Sequence, residues 1–209
     1  MNVRHQEWAV IVAHPDDETI WAGGSLLLER PRRLKIVTLT RGSDPDRAPR
    51  FHRAAEQFGA IGIMADLDDG PEQTPLDPPV VEQAIVSLVG GEEYAVAYTH
   101  SPRGEYTRHR RHEEVGLAVF TLWEQGALTI RQLRVFAYED GGKSYLPRHI
   151  GQAHEIRPLP EPIWNEKRAV VTETYGFAND SFEALAAPRT EAFWMFDSPA
   201  RMREWMSQD

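Results

Sequence analysis

The stretch VIVAHPDDET, Val10 to Thr19, runs four apolar residues into a histidine, a proline and three carboxylates. Together with the residues just before it, the segment Trp8 to Ala13 reads as a strand apolar on both faces, the pattern of a parallel sheet covered by helices. Leu34 to Thr40, Ala60 to Met64, Tyr94 to Thr99 and Arg134 to Tyr138 carry similar signatures. Between these strands lie stretches with helical spacing: Ile20 to Glu29, Ala48 to Phe58, Val80 to Val89 and His112 to Glu124. Strand alternating with helix predicts an α/β fold, Rossmann-like, with three α/β/α layers around a mostly parallel sheet. Glu166 to Tyr175 reads as a further helix. Ser198-Pro199 supplies an N-cap and a first-turn proline for a last one over Ala200 to Met206.

The 209 residues suit a single domain spanning 1–209, with proline-rich loops at Pro71 to Pro79 and Pro158 to Pro162. Against 23 basic residues stand 32 acidic ones, a formal charge of −9 that disfavours nonspecific attraction to nucleic acid or an anionic membrane. There is no cysteine, so any metal must be held by imidazole and carboxylate. Met1 to Trp8 lacks the pattern of an export signal, and no run approaches the roughly 20 apolar residues of a membrane span. A cytoplasmic protein is the expectation.

Ligands of open parallel sheets bind beyond the carboxyl ends of the strands. Three polar clusters fall there: His14 to Glu18, Arg41 to Asp44 and His100 to His112. Carboxylates crowded at the rim of a core repel one another and lose solvation, a conflict that a divalent cation resolves. The plain alternative is a solvated turn in which Asp16 or Asp17 caps the following helix. In RGEYTRHRRHEEVGLAV, His109 and His112 stand three residues apart at or just before a helix whose core stripe includes Val115, Ala118, Val119 and Leu122. Histidine and aspartate from one loop plus histidine from another leave a position open, the composition of a catalytic zinc site.

AHPDDE at Ala13 to Glu18, directly after an N-terminal strand and paired with a downstream HxxH, resembles the PIG-L/LmbE-like zinc deacetylases, which remove N-acyl groups from amino sugars and related metabolites. Thr40 to Gly42, RAAEQFGA ending near Gly59, and TEAF at Thr190 to Phe193 extend the likeness along most of the chain. The resemblance implies His14, Asp17 and His112 as ligands of Zn2+ or another divalent metal, and Asp16 as general base. It implies His109 as oxyanion stabiliser or proton donor, and a substrate-binding arginine before the second helix, with Arg47 slightly ahead of Arg50. The implied partner is a small N-acylated amino sugar or glycoside. Glu18 has no assigned task.

The pattern also departs from the family. Many relatives carry HPDH where this chain has His109-Arg110-Arg111-His112, so Arg111 stands in place of an aspartate. Tyr106 lies three residues before the first histidine rather than two, so its reading is divided between substrate binding and loop packing. Arg47, Arg50, Arg53, Arg103, Arg108, Arg110 and Arg111 suggest a basic pocket mouth suited to an anionic substrate. DLDDG at Asp66 to Gly70 reads as an acidic turn, Gly23-Gly24 as a close helix contact, and His149 and His154 as rim residues with one able to enter the metal shell. Trp164, Trp194 and Trp205 read as packing residues or a sugar-stacking surface, and the aromatic segment Phe193 to Trp205 could join subunits of a homo-oligomer. Two rivals remain: a metal- or carbohydrate-binding protein without turnover, motivated by Arg111, and an iron(II) oxygenase using His14-Pro15-Asp16, which would require a β-barrel.

Overall fold

The computed structural model describes residues 7–106 and 109–208, so Arg108 and most of the amino-terminal segment lie outside it. Five parallel strands form most of the sheet: β1 (Glu7–Val12), β2 (Arg33–Thr40), β3 (Ile61–Leu67), β4 (Glu93–Thr99) and β5 (Thr129–Phe136). A short antiparallel pair, β6 (Tyr138–Glu139) with β7 (Arg148–His149), stands apart. Then β8 (Glu155–Pro158) and β9 (Thr190–Phe196) extend the main sheet antiparallel, giving the order β3-β2-β1-β4-β5-β9-β8. This is the expected three-layer α/β architecture. The parallel sheet has no barrel for an oxygenase triad to occupy.

The helices are α1 (Asp17–Glu29), α2 (Arg47–Gln57), α3 (Pro78–Val89), α4 (Arg110–Glu124), α5 (Glu161–Ala169), α6 (Phe182–Ala186) and α7 (Pro199–Met206). Successive side chains of β1 point to opposite layers. Ala9 and Ile11 join a core with Ile85, Val115, Val119 and Met202 from α3, α4 and α7. Val10 and Val12 join Trp21, Leu26, Phe51 and Val170 on the other face. Among the described residues no helix is long and apolar enough to cross a membrane.

Two close approaches set the site. A Cβ on Gly116 of α4 would come within 2.5 Å of the His100 carbonyl, so the glycine lets α4 press its first turns against the end of β4. A Cβ on Gly24 would meet Leu159 at 2.3 Å, in keeping with the predicted close contact. The expected helix over Glu166 to Tyr175 is corrected: α5 ends at Ala169, and Val170–Thr174 form a π-helical turn. Wider turns of this kind recur at functional sites. This one carries Tyr175 onto Glu18.

Candidate active site

Beyond β1 the sheet order reverses, with β2 on one side and β4 on the other, and a crevice opens at such a switch point. The chain enters it through His14, Pro15 and Asp16. Asp16 has φ 130° and ψ −28°, a strained backbone for a residue with a Cβ. Glu18 is fully buried and holds this turn: its Oε2 accepts the Asp16 N–H at 3.1 Å, and its Oε1 accepts the hydroxyls of Tyr175 at 2.6 Å and Thr19 at 2.5 Å. Asp17 begins α1, where the helix N-terminus favours an anion. It accepts the His14 N–H at 2.8 Å and the Trp21 Nε1–H at 3.1 Å.

Three donors converge. His14 Nδ1 lies 3.1 Å from Asp17 Oδ2 and 3.2 Å from His112 Nε2, and that Nε2 lies 3.3 Å from Asp17 Oδ1. The far nitrogen of each histidine meets a carboxylate: His14 Nε2 is 3.1 Å from Asp69 Oδ1, and His112 Nδ1 is 2.6 Å from Glu105 Oε2. His100, fully buried, places Nδ1 3.0 Å from the same Glu105 oxygen and Nε2 3.2 Å from Asp17 Oδ2. His109 stacks on His112 with ring centroids 4.3 Å apart, and its buried Nδ1 has no hydrogen-bond partner. Two further donor sets able to hold an ion overlap here: His14 with His109 and His112, and Asp17 with His100 and His112.

The electrostatics separate neighbouring groups. Burial, and next the charge of Asp17, pushes Asp16 well above the usual carboxylate range. Burial acts upward on Asp17 too, but His112 and His100 outweigh it and hold Asp17 well below that range. Burial works against a charged His100, yet Glu105 and Asp17 raise it to about 9. Burial also opposes ionisation of Glu105, and His100 and His112 bring it down to about 2. Burial, joined by His112 and His14, drives His109 down to about 3.

The crevice measures about 590 Å³ and includes Asp16, Asp17, Arg41, Arg47, Asp69 and His109 among its walls. Ile20, Trp21, Tyr106 and Phe182 supply an apolar side. Arg47 Nη1 stands 4.0 Å from Asp16 Oδ2, and its guanidinium lies over the Phe177 ring at 4.4 Å.

Of the residues singled out in the sequence, His14, Asp16, Asp17, Tyr106, His109, His112 and Arg47 come together. Arg50 does not: it donates to the Tyr175 carbonyl at 2.6 Å and pairs with Asp46 at 2.7 Å, outside the crevice wall. The expected basic mouth reduces, among the described residues, to Arg41 and Arg47. His149 lies on β7, and His154 Nδ1 accepts the Met195 N–H at 2.9 Å, so neither joins the imidazole cluster. The additional histidine is His100. Trp194 and Trp205 pack together at 5.4 Å and line a separate hollow of about 360 Å³. Sequence reasoning assigned no task to His100, Glu105 or Asp69; the one available signal was that all three follow strand ends.

Fold and site define a class of α/β proteins with imidazoles and carboxylates gathered at the switch point of a mostly parallel sheet. Within that class the chain belongs to the PIG-L family, described as GlcNAc-PI de-N-acetylase, which it matches over residues 9–123. No curated protein matches it in sequence. Among solved structures it is similar to N,N'-diacetylchitobiose deacetylase from Pyrococcus horikoshii, with TM-score 0.68 and 14% identity over 93% of this chain and 85% of that one. It is similar to the A40926 pseudoaglycone deacetylase, with TM-score 0.62 and 13% identity over 93% and 98% of the two chains. It also resembles 4-carboxy-2-hydroxymuconate hydratase from Pseudomonas putida, with TM-score 0.55 and 16% identity over 87% and 82%. These likenesses establish the fold. A hydratase among them illustrates that one scaffold hosts more than one reaction, so function is argued from the site.

Proposed function

We propose that the protein is a zinc-dependent N-deacetylase that hydrolyses the amide of an N-acylated, chiefly N-acetylated, amino sugar or related small glycoside. The observation that carries this reading is the convergence of His14 Nδ1, Asp17 and His112 Nε2: the two nitrogens are 3.2 Å apart, and they lie 3.1 and 3.3 Å from the Oδ2 and Oδ1 oxygens of Asp17 respectively. Tetrahedral zinc with bonds of about 2.0–2.1 Å spaces its donors about 3.3 Å apart, and the spacing of these groups supports such an ion. Carboxylates behind both histidines fix the tautomers that leave those nitrogens free to bind metal. Such an ion supplies Lewis acidity toward an amide carbonyl and lowers the pKa of water toward about 7.

The chain's own groups then divide the work. Asp16, set apart from Asp17 by its raised proton affinity and facing the crevice, takes the proton of the attacking water and passes it to the amine nitrogen as the C–N bond breaks. His109, neutral at working pH, offers an imidazole N–H to the developing oxyanion, a role its low proton affinity favours over that of cationic acid. Arg47 binds a hydroxyl or acidic substituent of the substrate beside Asp16, and the side formed by Tyr106 and Phe182, with the buried Trp21 behind it, packs against the sugar's apolar face.

Elemental analysis combined with an amine-release assay over N-acetylglucosaminides tests this reading. Asp16→Asn is expected to retain zinc and lose about 10²–10⁴-fold in kcat. Unchanged turnover in that variant removes Asp16 as the base, and wild-type protein that binds zinc but releases no amine from any N-acyl substrate favours a binding protein instead.

A further inference from the structure

Arg111, the residue that departs from the family pattern, is 1% exposed although it sits on the first turn of α4. Its guanidinium is fully engaged. Nε donates to the Asp68 carbonyl at 2.6 Å and Nη2 to the Thr74 carbonyl at 2.8 Å; Nη2 also faces Asp68 Oδ2 at 3.3 Å, and Nη1 pairs with Glu114 Oε2 at 2.6 Å. Glu114 Oε1 accepts the Leu76 N–H at 3.1 Å, closing the grip on the same loop. Residues 68–76 are thus pinned at both ends to the helix that carries His112. An arginine suits the task, since its planar fork reaches two carbonyls and two carboxylates at once.

What that loop carries into the crevice is Asp69, whose side chain is 8% exposed. Asp69 Oδ1 lies 3.1 Å from His14 Nε2 and accepts from Gln73 Nε2 at 3.0 Å, while Oδ2 pairs with Arg41 Nη2 at 2.8 Å. Both oxygens are therefore oriented, and one of them addresses the nitrogen of His14 that points away from Asp17 and His112. A carboxylate in that position fixes the imidazole tautomer and raises the basicity of the opposite nitrogen.

We propose that Asp69 is a positioning residue for metal binding, holding His14 with Nδ1 turned to the ion, and that Arg111 clamps the loop that delivers it. The inference rests on the zinc site proposed above and deepens it. The acidic turn becomes part of the metal centre, and Arg111 becomes a support for that centre rather than a sign of lost turnover. Glu105 serves His112 from the buried side of the crevice, so each ligand histidine has a carboxylate of its own.

The test is zinc affinity of the chelator-stripped full-length chain, measured by competition with a chromophoric chelator, beside the melting temperature of the metal-free form. Asp69→Ala is expected to weaken zinc binding about 10–100-fold with the metal-free melting temperature near that of the wild type. Asp69→Asn, which keeps an acceptor but loses the charge, should fall between the two. Arg111→Lys keeps the positive charge but cannot span the four acceptors, and should weaken zinc in the same direction by a smaller factor. Wild-type affinity in Asp69→Ala overturns the proposal, as does an Arg111→Lys protein that melts lower yet binds zinc like the wild type. His14→Ala separates the two levels: full zinc affinity in that variant sinks the ligand set itself, whereas lost affinity there with wild-type affinity in Asp69→Ala sinks only the positioning role.

Discussion

Glu191 and Asp17 are both buried carboxylates, one bonded to the middle of α1 and the other its first residue, yet they are satisfied in opposite ways. Glu191 receives Lys167 Nζ at 2.7 Å and the backbone N–H groups of Gly24 and Ser25 at 2.8 and 2.7 Å, so its neutralising charge is built into the fold. Asp17 faces His14, His100 and His112, whose charges depend on pH and on what they bind. The first arrangement ties α1 to α5 and β9 through groups that the fold itself supplies. The second leaves part of the balance to the surroundings, which is how a region meant for chemistry differs from one meant for cohesion.

The largest effect expected from breaking the contrast is on the structural side. Lys167→Met leaves Glu191 buried without its cation and should lower stability by about 3–5 kcal/mol in denaturant unfolding, with zinc per folded molecule unchanged. Wild-type stability in that variant would place Glu191 in the same class as Asp17. A smaller loss, about 1–3 kcal/mol, is expected for Tyr175→Phe, which withdraws a hydroxyl from the buried Glu18 carboxylate but no charge. Thermal unfolding reads it, and kcat should fall with it if Glu18 steadies the Asp16 turn.

The smallest effect is a pH dependence confined to the metal-free protein. The proton affinities of His14, His100 and His112 are raised in the fold, so their contribution is complete below the ordinary histidine value of 6.5 and is lost as pH rises, through about 9 for His100. Asp16 and Glu18, raised by burial, act in the same direction. Glu105, lowered to about 2 from 4.5, contributes above 4.5 and loses its contribution as pH falls through 2. Stripped protein should therefore lose a few degrees of melting temperature between pH 6.5 and 9 and become less stable below pH 4.5. Zinc-loaded protein should lack the alkaline decline, because a bound cation takes over the compensation of the carboxylates. An identical alkaline decline in both forms would detach the cluster from metal binding.

The parallel half of the sheet was legible because most of its strands are apolar on both faces and all but the fifth are followed by a helical period. The β8–β9 edge was not: TEAF at Thr190 to Phe193 was read as a family segment and Phe193 to Trp205 as a surface that could join subunits, and pairing antiparallel to β5 leaves no mark in the local pattern. His14, Asp16, Asp17, His109 and His112 stood out because two short motifs hold them near strand ends. His100 and Glu105 lack a spacing of their own, and a glutamate in RGEY looks solvated until the fold buries it between two imidazoles. Asp69 and Arg111 become intelligible only together, through contacts spanning 43 residues of chain. Arg50 misled for the opposite reason: on α2 it lies near Arg47 in sequence, but it is anchored to Asp46 and the Tyr175 carbonyl.

The backbone of Asp16 has a consequence for anyone evolving this chain toward heat resistance. At φ 130° the position is one that glycine adopts freely and aspartate adopts at about 1–3 kcal/mol. Selection on folded yield alone would therefore reward replacement of this aspartate, and the fitter scaffold would have discarded the group proposed above to take the proton.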